Sequence, residues 1–243
     1  MRRSVMIELS YKSKIKDFYN KMNSQFNYKI LNILNGQVMY EVFQTNKLLK
    51  KGEYIPFNEA MCSHETSVAI FSDEFINLRA LGHKVSIQEY ENLTMTPLKP
   101  LFEKEYKCIV LWFGDDMFCQ INMLTVLAYL EQVTYKGKVF FNMVNETTYE
   151  IETIEIFLSS YNKVYQQVLI NHQFPHIEVI PSIFQGIRLY MKYIEVDNEI
   201  VTYIRKNEDK SQNELLENLF QSFPQYGLGD VQYLKIIETI KKV

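Results

Sequence analysis

Six consecutive apolar residues, 108-CIVLWF-113, run into Gly114 and two adjacent acids, and no other stretch limits the fold so narrowly. A half-buried strand alternates apolar and polar positions, whereas a strand apolar at every position is covered on both faces. Helices packed on both sides of a mostly parallel sheet provide that cover. The run 106–113 therefore reads as a central strand, with Gly114 as its exit.

The flanking text agrees. The run 29-KILNILNG-36 reads as a strand stopping at Gly36, and 37–49 as an amphipathic helix with Val38, Val42 and Leu49 among its apolar positions. A short strand, 53-EYIPF-57, leads into a polar loop over 58–66. Thr66 or Ser67 is the expected N-cap of a helix over 67–82 that stops near Gly82. A further helix over 86–95 is expected to end where Pro97 and Pro100 interrupt it. The segment 116–132 reads as a helix, 138–144 as a strand, and 149–157 as an alternating strand in a hairpin with it. Strand and helix alternating in this order predict an α/β fold with an open, mostly parallel, Rossmann-like sheet flanked by helices. Beyond it the text is helical, over 158–171, 180–206, 212–222 and 229–242, with 223-FPQYGLGD-230 as a tight break. The chain divides accordingly into a basic N-terminal segment (1–28), an α/β ligand-binding domain (29–157), a helical extension (158–206) and a small helical subdomain (211–243).

Charge bears on partners. The net charge is −3, which argues against general attraction to nucleic acid or anionic lipid. Residues 1–29 nevertheless carry seven Lys and Arg against Glu8 and Asp17, a net +5 that leaves −8 for the remainder. A solvated helix face accounts for such a segment as well as an anionic partner does. Three cysteines without a CxxC pair suit a reducing cytoplasm. No apolar run approaches the ~20 residues of a membrane span.

In open α/β sheets ligands sit beyond the carboxyl ends of the strands. Three loops qualify. Asn35, Gly36 and Gln37 form a strand–Gly–helix turn whose N–H groups suit a phosphate or carboxylate, or which is simply a tight turn. The loop 58–66 offers Asn58, Glu59, Cys62, His64 and Glu65; with no close second cysteine and no HExxH, no metal site is expected. In the third loop Asp115 falls where an N-cap belongs, Asp116 favours the helix dipole, and Gln120 lies one turn further on, within reach of the same crevice. Cys119 reads as packing within an amphipathic helix. Arg79 has Phe75 and Ile76 four and three residues before it, so no acid pairs with it there. Its partner is an anionic ligand, a carboxylate from elsewhere in the fold, or water.

The pieces NG (35–36), PFNEAMC (56–62), FINLRALGH (75–83) and VLWFGDDMFCQINML (110–124), in this order and spacing, resemble bacterial proteins that carry the domain of unknown function 1835. The ending FPQYGLGDVQYL (223–234) resembles the small helical domain that often follows it. The likeness runs from about residue 30 onward and implies relatives rather than a reaction, since that family has no established activity. Many of its members have an acid where this chain has Gln37, which implies impairment here of any activity that needs the acid. Some members are labelled AraC-like regulators. A DNA-reading helix pair needs cations, yet residues 201–243 carry six cationic against six anionic side chains.

The resulting expectation is a protein that binds a small anionic ligand, a nucleotide or sugar phosphate, at the strand C-termini. Asn35, Gly36 and Gln37 would present the helix N-terminus, Asn58, Glu59 and His64 one wall, and Asp115, Asp116 and Gln120 the other, with Arg79 on the anion. If the chain is an enzyme, this polar set suits transfer or hydrolysis at a phosphate or glycosidic centre, with Glu59 or Asp115 as general base. No cofactor follows from the sequence. The alternative is a regulatory or interaction module acting through its C-terminal helices.

Overall fold

In the computed structural model, which describes residues 9–27, 29–48, 52–144 and 151–241, a five-stranded sheet forms the centre. Its strands are β1 (Ile30–Leu34), β2 (Glu53–Pro56), β3 (Cys108–Phe113), β4 (Lys138–Val144) and β5 (Ile151–Ile156), in the order β2-β1-β3-β4-β5. The first four are parallel, and β5 pairs antiparallel with β4. The turn of that hairpin, with the start of the expected strand at 149–150, lies outside the described residues, as do Leu49, Arg2, Arg3 and Glu8.

All six residues of β3 are buried, and alternation sorts them into two cores. Ile30, Leu34, Cys108, Val110 and Trp112 face one layer, formed by α1 (Leu9–Phe26) and α2 (Gly36–Thr45). Leu31, Ile33, Ile109, Leu111 and Phe113 face the other, built around α6 (Met117–Gln132). The basic N-terminal segment thus supplies part of a layer. Ile15, Tyr19, Met22 and Phe26 recur at helical spacing on its buried side, while Lys14, Lys16 and Lys21 are exposed. Trp112 anchors this core, with edge-on rings of Phe43 at 5.2 Å and Phe18 at 5.6 Å. Its indole N–H donates to Asn32 Oδ1 at 3.0 Å, and Asn32 Nδ2 donates to Glu53 O at 3.1 Å, so the one polar residue of β1 is satisfied.

Between β2 and β3 come α3 (Asp73–His83), α4 (Ile87–Tyr90) and α5 (Thr96–Glu103), the last two joined by a π-helical turn at Glu91–Met95. Two expectations change here. The helix expected from 67 starts at Asp73, because the cap is Ser72, whose hydroxyl accepts from Phe75 N, and not Thr66 or Ser67. Pro97 and Pro100 lie inside helical structure instead of ending it. Pro97 cannot donate to Leu93 O, and Asn58 Nδ2 supplies that bond from outside at 3.0 Å.

The helix α6 is buried on every side, not amphipathic as expected, since α7 (Tyr161–Tyr165) and α8 (Pro181–Tyr193) cover the face turned away from the sheet. The segment expected as one helix over 180–206 breaks into α8 and α9 (Glu199–Lys206), the latter capped by Asn198 through Ile200 N and Val201 N. The helices α10 (Gln212–Ser222) and α11 (Asp230–Lys241) bury Leu215, Leu219, Tyr233 and Ile237 against this layer. No helix of the described residues is long and apolar enough to cross a membrane.

Phe43→Ala should cost about 3–5 kcal/mol of stability by leaving a cavity beside Trp112. Urea unfolding followed by tryptophan emission reads this directly, since Trp112 is the only tryptophan in the chain.

Candidate functional site

The polar loop after β2 is ordered by a buried ion pair. Arg79 and Glu59 are both fully buried at the side chain, with Nη2 2.6 Å from Oε1 and Nε 3.2 Å from Oε2. The remaining Arg79 donors go to loop carbonyls: Ala60 at 2.9 Å, Ser63 at 2.5 Å, His64 at 3.1 Å and Glu65 at 3.3 Å. Glu59 also accepts from Ala60 N at 2.8 Å and from the Tyr90 hydroxyl, and it meets His83 Nε2 at 2.8 Å. Burial alone would raise the Glu59 pKa, but the Arg79 charge and these donors overcome it and hold the carboxyl well below the usual range.

This corrects the roles expected of both residues. A carboxylate with every lone pair engaged and no solvent contact does not act as general base. An arginine spent on a buried carboxylate and four carbonyls does not receive a ligand. Its partner is the carboxylate from elsewhere in the fold. Cys62, buried beside it, has its thiol pushed up to about 12 by burial, so it stays protonated and is no nucleophile.

His64 belongs to this network rather than to an open wall. It has a left-handed backbone (φ 66°), its ring lies 4.9 Å from that of His83, and its Nε2 stands 3.2 Å from Lys235 Nζ on α11. A Cβ on Gly82 would fall 2.5 Å from the His64 Cβ, so that glycine permits the approach. Burial, then the charges of Lys235 and its neighbours, lower the His64 pKa to about 4.

A second network joins the loop to the ends of β1 and β3. Asn122 on α6 accepts from Met61 N at 2.9 Å, and it donates to Glu59 O at 2.7 Å and to Asn35 Oδ1 at 3.1 Å. Asn35 Nδ2 contacts Cys119 Sγ at 2.9 Å. Asn35 is the residue before α2, yet its side chain makes no cap bond to that helix. Gly36 follows with φ 83°, and outside its own turn and helix backbone nothing lies within 4 Å of where its Cβ would stand. Gln37, exposed, is 3.4 Å from both Glu41 Oε1 and Asn58 Nδ2.

The third loop differs from expectation by one residue. The N-cap of α6 is Asp116, which accepts from Cys119 N at 2.8 Å, and Asp115 is exposed. Gly227, at φ 62°, packs so closely over Asp116 that a Cβ there would lie 2.0 Å from Oδ1. Burial pushes the Asp116 carboxyl upward. Gln120, expected in the crevice, is fully buried: its Nε2 donates to Gly114 O at 2.5 Å, and Gly186 of α8 closes over its Cβ. Gln120 is therefore roofed by the C-terminal layer and Asp116 is half-covered by it, while Asn35, Gly36, Gln37, Asn58 and Asp115 keep surface.

Sequence reasoning passed over Asn122 and Tyr90 as site residues. Asn122 carried a signal, as a second amide two residues past Gln120 in a mostly apolar segment. Among the described residues no three ligating side chains gather as for a metal ion. Family models, curated proteins and solved structures yield no match to this chain.

Glu59→Gln should cost roughly 3–5 kcal/mol, because it leaves Arg79 buried without a counter-charge. Asp115→Asn, at the surface, should stay within about 0.5 kcal/mol; chemical denaturation of both variants checks the contrast. Acidification should destabilise in two stages. From pH 6.5 to about 4 the unfolded chain protonates His64 while the folded chain resists, and below 4.5 it protonates Glu59 while the folded carboxylate resists. In His64→Asn, which tolerates the left-handed backbone, a pH series of unfolding curves should lose the first stage and keep the second.

Proposed function

We propose that this chain binds a small phosphate-bearing molecule over the β1–α2 turn, at the carboxyl end of the sheet. One observation carries the reading: the first turn of α2 has no side-chain cap and faces open space at Gly36. Asn35, the residue suited to capping, instead bonds to Cys119 and Asn122. N–H groups at such a turn, with the positive end of the helix dipole behind them, favour an anion.

The position supports the same reading. The chain leaves β1 toward β2 on one side and crosses back to β3 on the other, so β1 and β3 flank the point where strand order reverses. Ligands of open α/β sheets gather in the crevice at that reversal. Asp115 stands exposed on the neighbouring β3–α6 turn. Gln37 is a neutral side chain at the position where the resemblance noted above would put an acid. The proposal concerns binding, and it assigns no chemical step to Glu59 or Arg79.

Thermal-shift measurements with sugar phosphates and nucleotides should show a rise in melting temperature, a ligand at a hundredfold its Kd stabilising by about 2.7 kcal/mol. Gln37→Glu should leave the fold intact or gain about 0.3–1 kcal/mol from the helix dipole, while weakening the ligand on the order of tenfold through charge repulsion. Unchanged affinity in that variant, or no shift with any phosphate compound, would sink the proposal.

A further inference from the structure

A cavity of about 390 Å³ opens along the outer edge of β2, between α2 and α5, and Gln37 is shared between it and the β1–α2 turn. Rings line it: Tyr40 and Tyr54, with centroids 5.4 Å apart and planes at 47°, together with Pro97 and Pro100. Glu53 lies at the far end. We infer that the phosphate-bearing ligand is a mononucleotide, with its base in this cavity and its phosphate at the α2 N-terminus; the inference rests on the anion site proposed above.

Three features select a base over other occupants. The volume lies at the lower end of the ~300–1,000 Å³ range of small-molecule pockets, and tyrosine and proline rings offer stacking surfaces to a planar heterocycle. Among the described residues β2 pairs only with β1, so its outer backbone is open. Phe57 N donates inward to Leu34 O at 2.8 Å, and strand alternation then turns the Tyr54 N–H and C=O outward. An adjacent donor and acceptor on the rim of a base complement that pair, whereas an aliphatic ligand offers neither.

The ends of the cavity differ in chemistry. Glu53, its charge balanced by Lys104 at 2.5 Å, offers a carboxylate oxygen at the start of β2 that accepts from a base amine. The strand then runs about 10 Å, three residue steps at roughly 3.3 Å each, to Pro56 beside the open turn.

Isothermal titration of the intact chain provides the test, with three sets of probes: the four ribonucleoside monophosphates, the four nucleosides, and ribose 5-phosphate. At least one monophosphate should bind ten times or more tighter than ribose 5-phosphate. Tyr40→Ala and Thr96→Trp, the second filling the cavity from the exposed start of α5, should erase that advantage without weakening ribose 5-phosphate. Gln37→Glu should weaken both phosphates and spare the nucleoside. Circular dichroism identifies a variant that has lost its fold, and the two cavity variants reach the same wall by opposite changes in volume. Ribose 5-phosphate bound as tightly as every monophosphate would overturn the base subsite and leave the anion site standing. A nucleoside bound as well as its monophosphate would overturn the anion site while keeping the cavity. If no probe binds, both fall.

Discussion

One guanidinium orders the loop between β2 and α3, which has no regular secondary structure of its own. The Arg79 side chain bonds both oxygens of Glu59 and four carbonyls between Ala60 and Glu65. Ala60 is buried, and without this donor its carbonyl would go unpaired at a cost of about 1–3 kcal/mol. The ion pair itself adds little net stability, since desolvating two charges offsets most of their attraction. Its contribution is geometric: it fixes the path from β2 to α3, and with it the carbonyl of Glu59 and the amide of Met61.

Those two groups meet Asn122, and through Asn122 the loop controls the turn after β1. The Asn122 amide is fully engaged, by Met61 N, Glu59 O and Asn35 Oδ1. Asn35 is thereby drawn toward α6 and away from the helix it precedes. An asparagine at this place normally bonds the N–H two or three residues on, worth about 1 kcal/mol. Forgoing that bond leaves the first turn of α2 short of an acceptor, which is the condition for an anion to settle there. The buried pair and the open turn are thus successive links of one chain of hydrogen bonds, although neither Glu59 nor Arg79 reaches the surface.

This also explains what the sequence could and could not reveal. The central strand was legible because Cys108–Phe113 is apolar at every position, and the layers on either side follow from that run. The hairpin of β4 and β5 was legible from alternation. The role of Arg79 was not, because its partner lies 20 residues away on a different element and only tertiary folding joins them. The prolines misled for a similar reason: Asn58, 35 residues before Leu93, provides the donor that Pro97 lacks. Gln120 was placed on the correct element and the wrong side, since nothing in its own helix shows that Gly186 of α8 will close over it. Asp115 and Asp116 were separated by cap geometry at a single peptide, a scale at which composition carries no information.

The two edges of the sheet are treated differently, and the difference bears on which ligands the exposed edge can accept. On one side β5 lies antiparallel on β4, with Lys138 and Glu155 paired across the strands. On the other, β2 is four residues long and ends in Pro56. Edge strands invite pairing with other chains unless shortened, charged or interrupted by proline. With Tyr54 offering the only outward N–H of β2 and Pro56 offering none, the edge has too few donors to template a second strand. One donor beside one acceptor is, however, enough to read the rim of a planar ring. The same features that protect β2 from strand addition are therefore compatible with the proposed heterocycle, on the side of the sheet where the proposed anion would meet the open turn of α2.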